Sequence, residues 1–265
     1  MKRLLQVMEG CMNSKKQANL HHVSVSGEAA SADKAAAEKF PMMLNEIIDK
    51  GGYTPQQIFN IDKTGLFWKK IPDRMYISHK EKTMPRFKVA KNRLKLLPSG
   101  NCSGDTKLNS LLEHRAGNPQ ALKNITKLSL PVIWMANKKA WVILAVFDNS
   151  FFHHFFPEVK LYCRENNIPF KILLILDNGP GHPLYLDDFH LDVQVVYLPP
   201  NTTSLIQPMD QDVIANLKKY YSLSKYRQVL TEINDADVIL RDFWKGYYIY
   251  NCVKNIDAAW REVSN

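Results

Sequence analysis

Residues 171–182, KILLILDNGPGH, constrain this chain more than any other stretch. Ile172 to Leu176 form an unbroken apolar run, too short for a helix of ordinary length and too continuous for a strand with one wet face. The run reads as a strand buried on both faces, as in sheets covered by helices. It stops at Asp177, and Asn178, Gly179, Pro180 and Gly181 are strong turn formers. A carboxylate therefore stands at the carboxyl end of a central strand, ahead of a loop able to approach a ligand, which is where open α/β sheets place their chemistry. Taken alone, Asp177 serves equally well to open an Asx-type turn, and the other acidic residues have to decide.

The chain has 265 residues, 45% hydrophobic and 23% charged, enough apolar material for a full core in one large unit or two small ones. No apolar run approaches the roughly eighteen residues that span a bilayer, so no membrane association is expected. The opening MKRLLQVMEGCMNSKK is basic, but its apolar part is short and broken by Glu9, Asn13 and two lysines, unlike a cleaved signal, so an intracellular protein is expected. Cys11, Cys102, Cys163 and Cys252 are widely separated and match no zinc or redox spacing, as expected of free thiols in a reducing compartment.

The net charge is +9, and the excess is local. Between Lys69 and Lys95 stand ten basic residues (Lys69, Lys70, Arg74, Lys80, Lys82, Arg86, Lys88, Lys91, Arg93, Lys95) against Asp73 and Glu81, with Trp68, Tyr76 and Phe87 interleaved. Such clustering suits a surface that meets a phosphate backbone, with Lys69, Lys70, Lys88, Lys91 and Arg93 as nucleic-acid contacts; His182, after the Pro-Gly turn, is either a further contact to a phosphate or a metal or simply exposed. A solvated basic face without a partner is the alternative.

Local patterns set the order of elements. Residues 1–30 lack periodicity and are expected to be poorly ordered. A helix follows from an N-cap at Ser31, stopped by Gly51-Gly52, and Pro41 is expected to kink or divide it. QIFNID (57–62), RLKLL (93–97) and LNSLLEH (108–114) read as strands of an antiparallel meander, the last two separated by the turn-rich PSGNCSGDT. Residues 124–137 are ambiguous. Residues 141–166 read as a helix interrupted by Pro157, although WVILAVF would also suit a strand. The central strand and VQVVYL (193–198) are too far apart for a hairpin and far enough for a parallel crossover. Helices over 210–230, 238–247 and 250–263 close the chain, with Trp244, Tyr247, Tyr248 and Trp260 as their core.

A meander followed by crossovers sets the first and fourth strands side by side, so Asp62 and Asp177 are expected to point into one crevice. Asp210 opens a helix just beyond the fifth strand, where it is either a third member of the group or an N-cap. Three carboxylates together raise one another's pKa unless a divalent cation offsets them, and hard oxygen donors suit Mg²⁺ or Mn²⁺. The pairs His21-His22 and His153-His154 have no completing ligands at zinc spacing and read as structural.

NIDKTGLFWKKIP, LDNGPGH and LPPNTTSLIQPMDQ resemble the catalytic domain of the pogo and Tigger transposases, a branch of the DDE superfamily of RNase-H-like nucleases that includes the jerky and centromere-binding protein B groups. The resemblance runs from His21 to about Val263 through SGEAASAD, ALKN, NKKAW and FFHHFFPEV. It implies an RNase-H-like mixed five-stranded sheet flanked by helices, with extra C-terminal helices. Residues 1–30 would be the remnant of an upstream DNA-binding region, 31–57 a helical lead-in, 58–230 the DDE domain, and 235–263 helices packed on it. It implies that Asp62, Asp177 and Asp210 are the catalytic residues and bind Mg²⁺ or Mn²⁺ for DNA strand cleavage and transfer, in a nuclear protein whose oligomeric state is open. A non-enzymatic DNA- or protein-binding module, or a truncated relic, is the alternative. The departures are Lys63 where the family usually has Glu, Asp212 where it has Gly, Ser150 where it commonly has Trp, and only the end of a helix-turn-helix region, around residues 20–27. Neighbouring residues on a strand face opposite sides, so Lys63 need not touch a metal, yet a cation close to the acidic group weakens its pull on one, and Lys63→Glu is expected to tighten Mn²⁺ binding. Asp212, two residues on from Asp210 in the same helix start, is expected to be tolerated there.

Overall fold

The structure is a computed structural model that describes residues 32–71, 93–137, 151–179, 190–236 and 240–263. Helix α1 spans Lys34–Gly51. Its N-cap is Asp33, whose carboxylate accepts from the Ala36 N–H at 3.0 Å, and it ends on Gly52 at φ 63°. The expected cap, Ser31, lies outside the described residues. Pro41 sits inside α1 without dividing it. The stripe of Phe40, Leu44, Ile47 and Ile48 packs on the sheet along both halves, and that burial outweighs the lost backbone hydrogen bond.

Among the described residues eight strands follow: β1 Ile58–Ile61, β2 Thr64–Phe67, β3 Arg93–Leu97, β4 Ser99–Asn101, β5 Leu111–His114, β6 Ile133–Ala136, β7 Ile172–Leu176 and β8 Val193–Tyr197. They form two four-stranded sheets, ordered β4-β1-β7-β8 and β2-β3-β5-β6. Only Asp62 and Lys63 separate β1 from β2, and only Pro98 separates β3 from β4. The Asp62 N–H still donates to the Pro98 carbonyl at 3.3 Å, but proline has no N–H to return, so the ladder breaks there. Each pair is thus one course of chain crossing from one sheet to the other. Merged, the courses run β6, β5, β3/β4, β1/β2, β7, β8, with β1 antiparallel to β4, β3 antiparallel to β5, and β1, β7 and β8 parallel.

This is an RNase-H-like mixed sheet flanked by helices, as expected. It has one course more than the five anticipated, because the ambiguous stretch 124–137 supplies β6, parallel to β5 at the edge.

Both faces of β7 are covered. Leu174 and Leu176 pack with Phe59, Phe151, Phe155 and Val159 on one side, and Leu173 and Ile175 pack with Phe40 and Ile58 on the other. The helical stretch expected from 141 is described from Phe151, where a π-helical turn, Phe151–Phe155, leads into α2, Phe156–Glu165. Pro157 falls in the first turn of α2, where a missing N–H costs nothing.

Helices α3 (Val213–Ala236), α4 (Leu240–Gly246) and α5 (Ile249–Glu262) cover Leu66, Leu94, Leu96 and Leu112 of the other sheet through Leu217, Tyr221, Trp244, Tyr247, Val253, Ile256 and Trp260. Tyr248 differs from its expected core role: it precedes α5 with its side chain 56% exposed. Cys102, Cys163 and Cys252 are free thiols. Among the described residues no helix is long and apolar enough to cross a membrane.

Candidate active site

The parallel ladder between β1 and β7 pairs Ile58 with Leu173, Phe59 with Leu174 and Asn60 with Ile175. Asp62 follows the last residue of β1 and Asp177 follows the last residue of β7, so continuing that register two residues past Asn60 and Ile175 would bring Asp62 opposite Asp177. Alternation along β1 also puts the Asp62 side chain on the side of the Asn60 side chain.

Asn60 is buried and ties three pieces of chain together. Its amide nitrogen donates to the Ile175 carbonyl at 2.9 Å and to Gln207 Oε1 at 2.8 Å, while its oxygen accepts from the Met209 N–H at 3.1 Å. Met209 belongs to the 3₁₀ turn Pro208–Asp210. One side chain on β1 thereby fixes both the β7 strand that carries Asp177 and the turn that carries Asp210.

The three carboxylates differ in exposure: Asp62 is buried, Asp177 half-buried and Asp210 exposed. Burial first, then the charge of Asp210 and more weakly that of Asp177, push the Asp62 carboxyl up to about 6. The Lys63 N–H and the Gln207 side chain work in the opposite direction. Gln207 is itself fully buried and its amide nitrogen meets no acceptor at hydrogen-bonding geometry, yet it is near enough to favour the Asp62 carboxylate. Beyond Asp177 the loop turns closely over its own carboxylate. A Cβ at Gly179 would stand 3.0 Å from Asp177 Oδ2, so glycine is what permits the approach.

The donors are of the class that suits Mg²⁺ or Mn²⁺, and a cation among them would relieve the repulsion that raises Asp62. As placed, no set of three or more His, Cys, Asp or Glu side chains among the described residues closes on one point as a ligand cluster.

Lys63 faces away from this group. Its ammonium lies 3.5 Å from Glu113 Oε2, and Glu113 Oε1 accepts from Lys95 at 2.9 Å and from Asn137 at 2.8 Å. Burial would raise the Glu113 carboxyl, but the Lys95 hydrogen bond, the charges of Lys63 and Lys95 and the Asn137 amide hold it below the ordinary range. The cation that replaces the family's Glu is therefore neutralised on the opposite side of the strand.

Asp212 also differs from expectation. It precedes the first turn of α3 and adopts φ 70°, the left-handed region that glycine occupies freely. Its carbonyl accepts from the Asn216 N–H at 2.8 Å.

Of the expected nucleic-acid contacts, Lys88, Lys91 and His182 lie outside the described residues. Lys69 donates to the Trp244 carbonyl at 2.9 Å and stands over the Trp68 and Tyr248 rings, so it braces α4. Lys70 is exposed, and the Arg93 guanidinium lies over Gly65 and the Phe67 ring. Sequence reasoning missed Asn60, Gln207 and Lys218. The first two carried a signal, a polar residue two positions before an acid within an apolar strand and an amide just before a proline. Lys218 did not stand out among the many lysines of a basic chain, although the fields of Asp210 and Asp62 both favour its charge against burial.

A sequence model of the DDE superfamily endonuclease family matches residues 91–265, a span that includes Asp177 and Asp210 and begins after Asp62. The human protein Tigger transposable element-derived protein 7 is 31% identical over 240 residues, 85% of this chain and 43% of the relative. The human Jerky protein homolog is 31% identical over 268 residues, 98% of this chain and 45% of the relative. The chain thus spans less than half the length of these curated relatives. The Mos1 mariner paired end complex with Mn superposes with a TM-score of 0.48 at 12% identity, over 96% of this chain and 69% of that one. With the family model matching well over half of its length, the chain belongs to the DDE superfamily endonuclease family.

Proposed function

We propose that this chain is a transposable-element-derived DDE domain that binds DNA in the nucleus and retains divalent-metal-dependent strand cleavage. The observation that supports the reading is the parallel register of β1 against β7, which brings side by side the strand ends that precede Asp62 and Asp177, while Asn60 bonds the turn that contains Asp210. Asp62, Asp177 and Asp210 are the residues proposed to hold Mg²⁺ or Mn²⁺. A bound ion of this kind supplies charge stabilisation for the attacking and leaving oxygens of a phosphoryl displacement.

The protein's own residues do the rest. Asp62 is buried and raised to about 6, and a bound cation would favour its charged form. Asn60 keeps the strand and the turn from drifting apart, and Gln207 favours the charged form of Asp62. Lys218 and Arg93 offer positive charge at the margin of the acidic group, where a phosphodiester would approach.

The test is nicking of supercoiled plasmid with Mn²⁺ at pH 7.5, with Asp177→Ala alongside. Metal-dependent nicking lost in the variant supports the reading, and nicking that survives it points to a contaminant. A second reading, a DNA- or protein-binding module without catalysis, is favoured by the three carboxylates not closing as a ligand cluster among the described residues. Under that reading the protein binds DNA equally well with and without Mn²⁺ and leaves the plasmid intact.

A further inference from the structure

A cleft of about 440 Å³ lies between the edge of β2 and helix α3. One wall carries Gly65, Leu66 and Lys70, and the other carries Lys218, Ser222, Lys225 and Tyr226. Positions 218, 222 and 225 recur at helical spacing, so one face of α3 presents them together. Among the described residues no acidic side chain lines the cleft. Arg93 adds a further cation from the strand side: its guanidinium lies against Gly65 and is near enough to Lys218 to oppose the latter's charge. At its other end Lys218 feels Asp62 and Asp210, so the cleft leads away from the carboxylate group.

Lys225 is the unusual member. The residue is 2% exposed, yet no carboxylate pairs with it among the described residues. Its ammonium donates to the Lys70 carbonyl at 2.8 Å and stands over the rings of Tyr226, Tyr221 and Trp244 at 4.8, 5.5 and 5.5 Å. Ring faces and one carbonyl compensate a buried ammonium only in part, since it has three donors and carries a full charge. Burial accordingly pushes the amine down to about 8. Three lysines line a concavity to which the described residues contribute no carboxylate, a setting that suits an anion. Phosphate fits, being multidentate and charged, and Tyr226 on the same wall offers an aromatic face to whatever the phosphate carries. The volume is that of a small-ligand pocket, room for a nucleotide unit but not for a duplex.

We propose that this cleft holds the backbone phosphates of a single nucleic-acid strand that leads away from the carboxylate group, with Lys70, Lys218 and Lys225 as its phosphate contacts. This rests on the nucleic-acid half of the proposed function and is independent of metal binding and cleavage.

The test is fluorescence anisotropy of a labelled oligothymidylate against the full chain over a salt series without metal. The proteins are the wild type, Lys70→Gln/Lys218→Gln, Lys225→Met and, as a charge control on α1, Lys50→Gln. The double variant changes only exposed or half-buried side chains, so it carries the test if Lys225→Met fails to fold. It is expected to bind about tenfold more weakly near 0.1 M salt. Its slope of log K against log salt should be shallower by about 1.4, from roughly 0.7 per phosphate contact on a single strand. The control should match the wild type. Wild-type affinity and slope in the double variant overturn the cleft while leaving strand binding elsewhere on the protein intact. A wild type that binds neither this strand nor a duplex overturns the nucleic-acid reading as well. Should inorganic phosphate at matched ionic strength raise the melting temperature of the wild type but not of the double variant, while strand binding is equal in both, the cleft is a small-anion site and the proposal fails.

Discussion

Asp62 is held in the fold against its own solvation, and the cost depends on pH. Its folded pKa of about 6 lies above the unfolded value near 3.8, so the folded state binds more protons between those limits. The contribution to stability is fully present below the unfolded value and is lost as pH rises through about 6. The loss between pH 4 and pH 8 comes to about 2 kcal/mol, and Asp62→Asn should remove it. Urea unfolding of both proteins at the two pH values checks this, and parallel profiles would place the titration elsewhere. Lys63 gives a second prediction. From sequence, Lys63→Glu should tighten Mn²⁺ binding, but in the structure it would set a carboxylate beside buried Glu113. The expected outcome is a destabilisation of about 2 kcal/mol, from an ion pair turned into a repulsion, largely restored by adding Glu113→Gln. Chemical denaturation of the single and double variants reads this directly. At Asp212, φ 70° charges a side chain for a conformation that glycine adopts freely, so Asp212→Gly should stabilise the fold by about 1 kcal/mol.

Among the elements, the junction of β1, β7 and the Pro208–Asp210 turn is where position is set. Asn60→Ala removes the bonds from β1 to Ile175, Gln207 and Met209 without touching a proposed ligand. It should lower stability by about 2–3 kcal/mol and weaken Mn²⁺ binding at temperatures where the variant is still folded, which calorimetry after a melting check would measure. Unchanged metal affinity would mean that the turn holds its place without the clamp. The strands that build this junction were legible in the sequence because each is a short apolar run bounded by turn residues, as at Ile172–Leu176 and Val193–Tyr197. That β1 and β7 lie side by side followed from their order along the chain. Three features were not legible. The break at Asp62-Lys63 depends on Pro98 of the neighbouring strand, a tertiary fact. The strand Ile133–Ala136 has no burial pattern of its own, being half-buried at an edge. Asp212 reads as a second acid at a helix start until its backbone angle is known. Pro41 misled in the other direction, because packing against the sheet holds α1 together through a residue that breaks helices in isolation.

For the molecule as a whole, the proposed function predicts, from the charge of +9 and its concentration between Lys69 and Lys95, nucleic-acid binding that is weakly selective and strongly salt-dependent. Reversing Lys88, Lys91 and Arg93 together should flatten the salt slope of DNA binding, and an unchanged slope would make that segment a solvated face. Specificity for one DNA sequence is a separate matter, since it needs base-edge contacts that phosphate-binding lysines do not make. The family relationship and the sheet place the chain among DDE domains, but a working acidic centre depends on whether its three aspartates act together. The most direct measurement is calorimetric titration of Mn²⁺ into the wild type, Asp62→Ala, Asp177→Ala and Asp210→Ala at pH 7.5, each first shown to be folded. The expected result is saturable binding by the wild type, lost in Asp62→Ala and Asp177→Ala and weakened less in Asp210→Ala, whose residue is exposed on a short turn and held less rigidly than the two at strand ends. Binding that is absent in the wild type, or that survives unchanged in Asp62→Ala and Asp177→Ala, would contradict a metal centre at these residues.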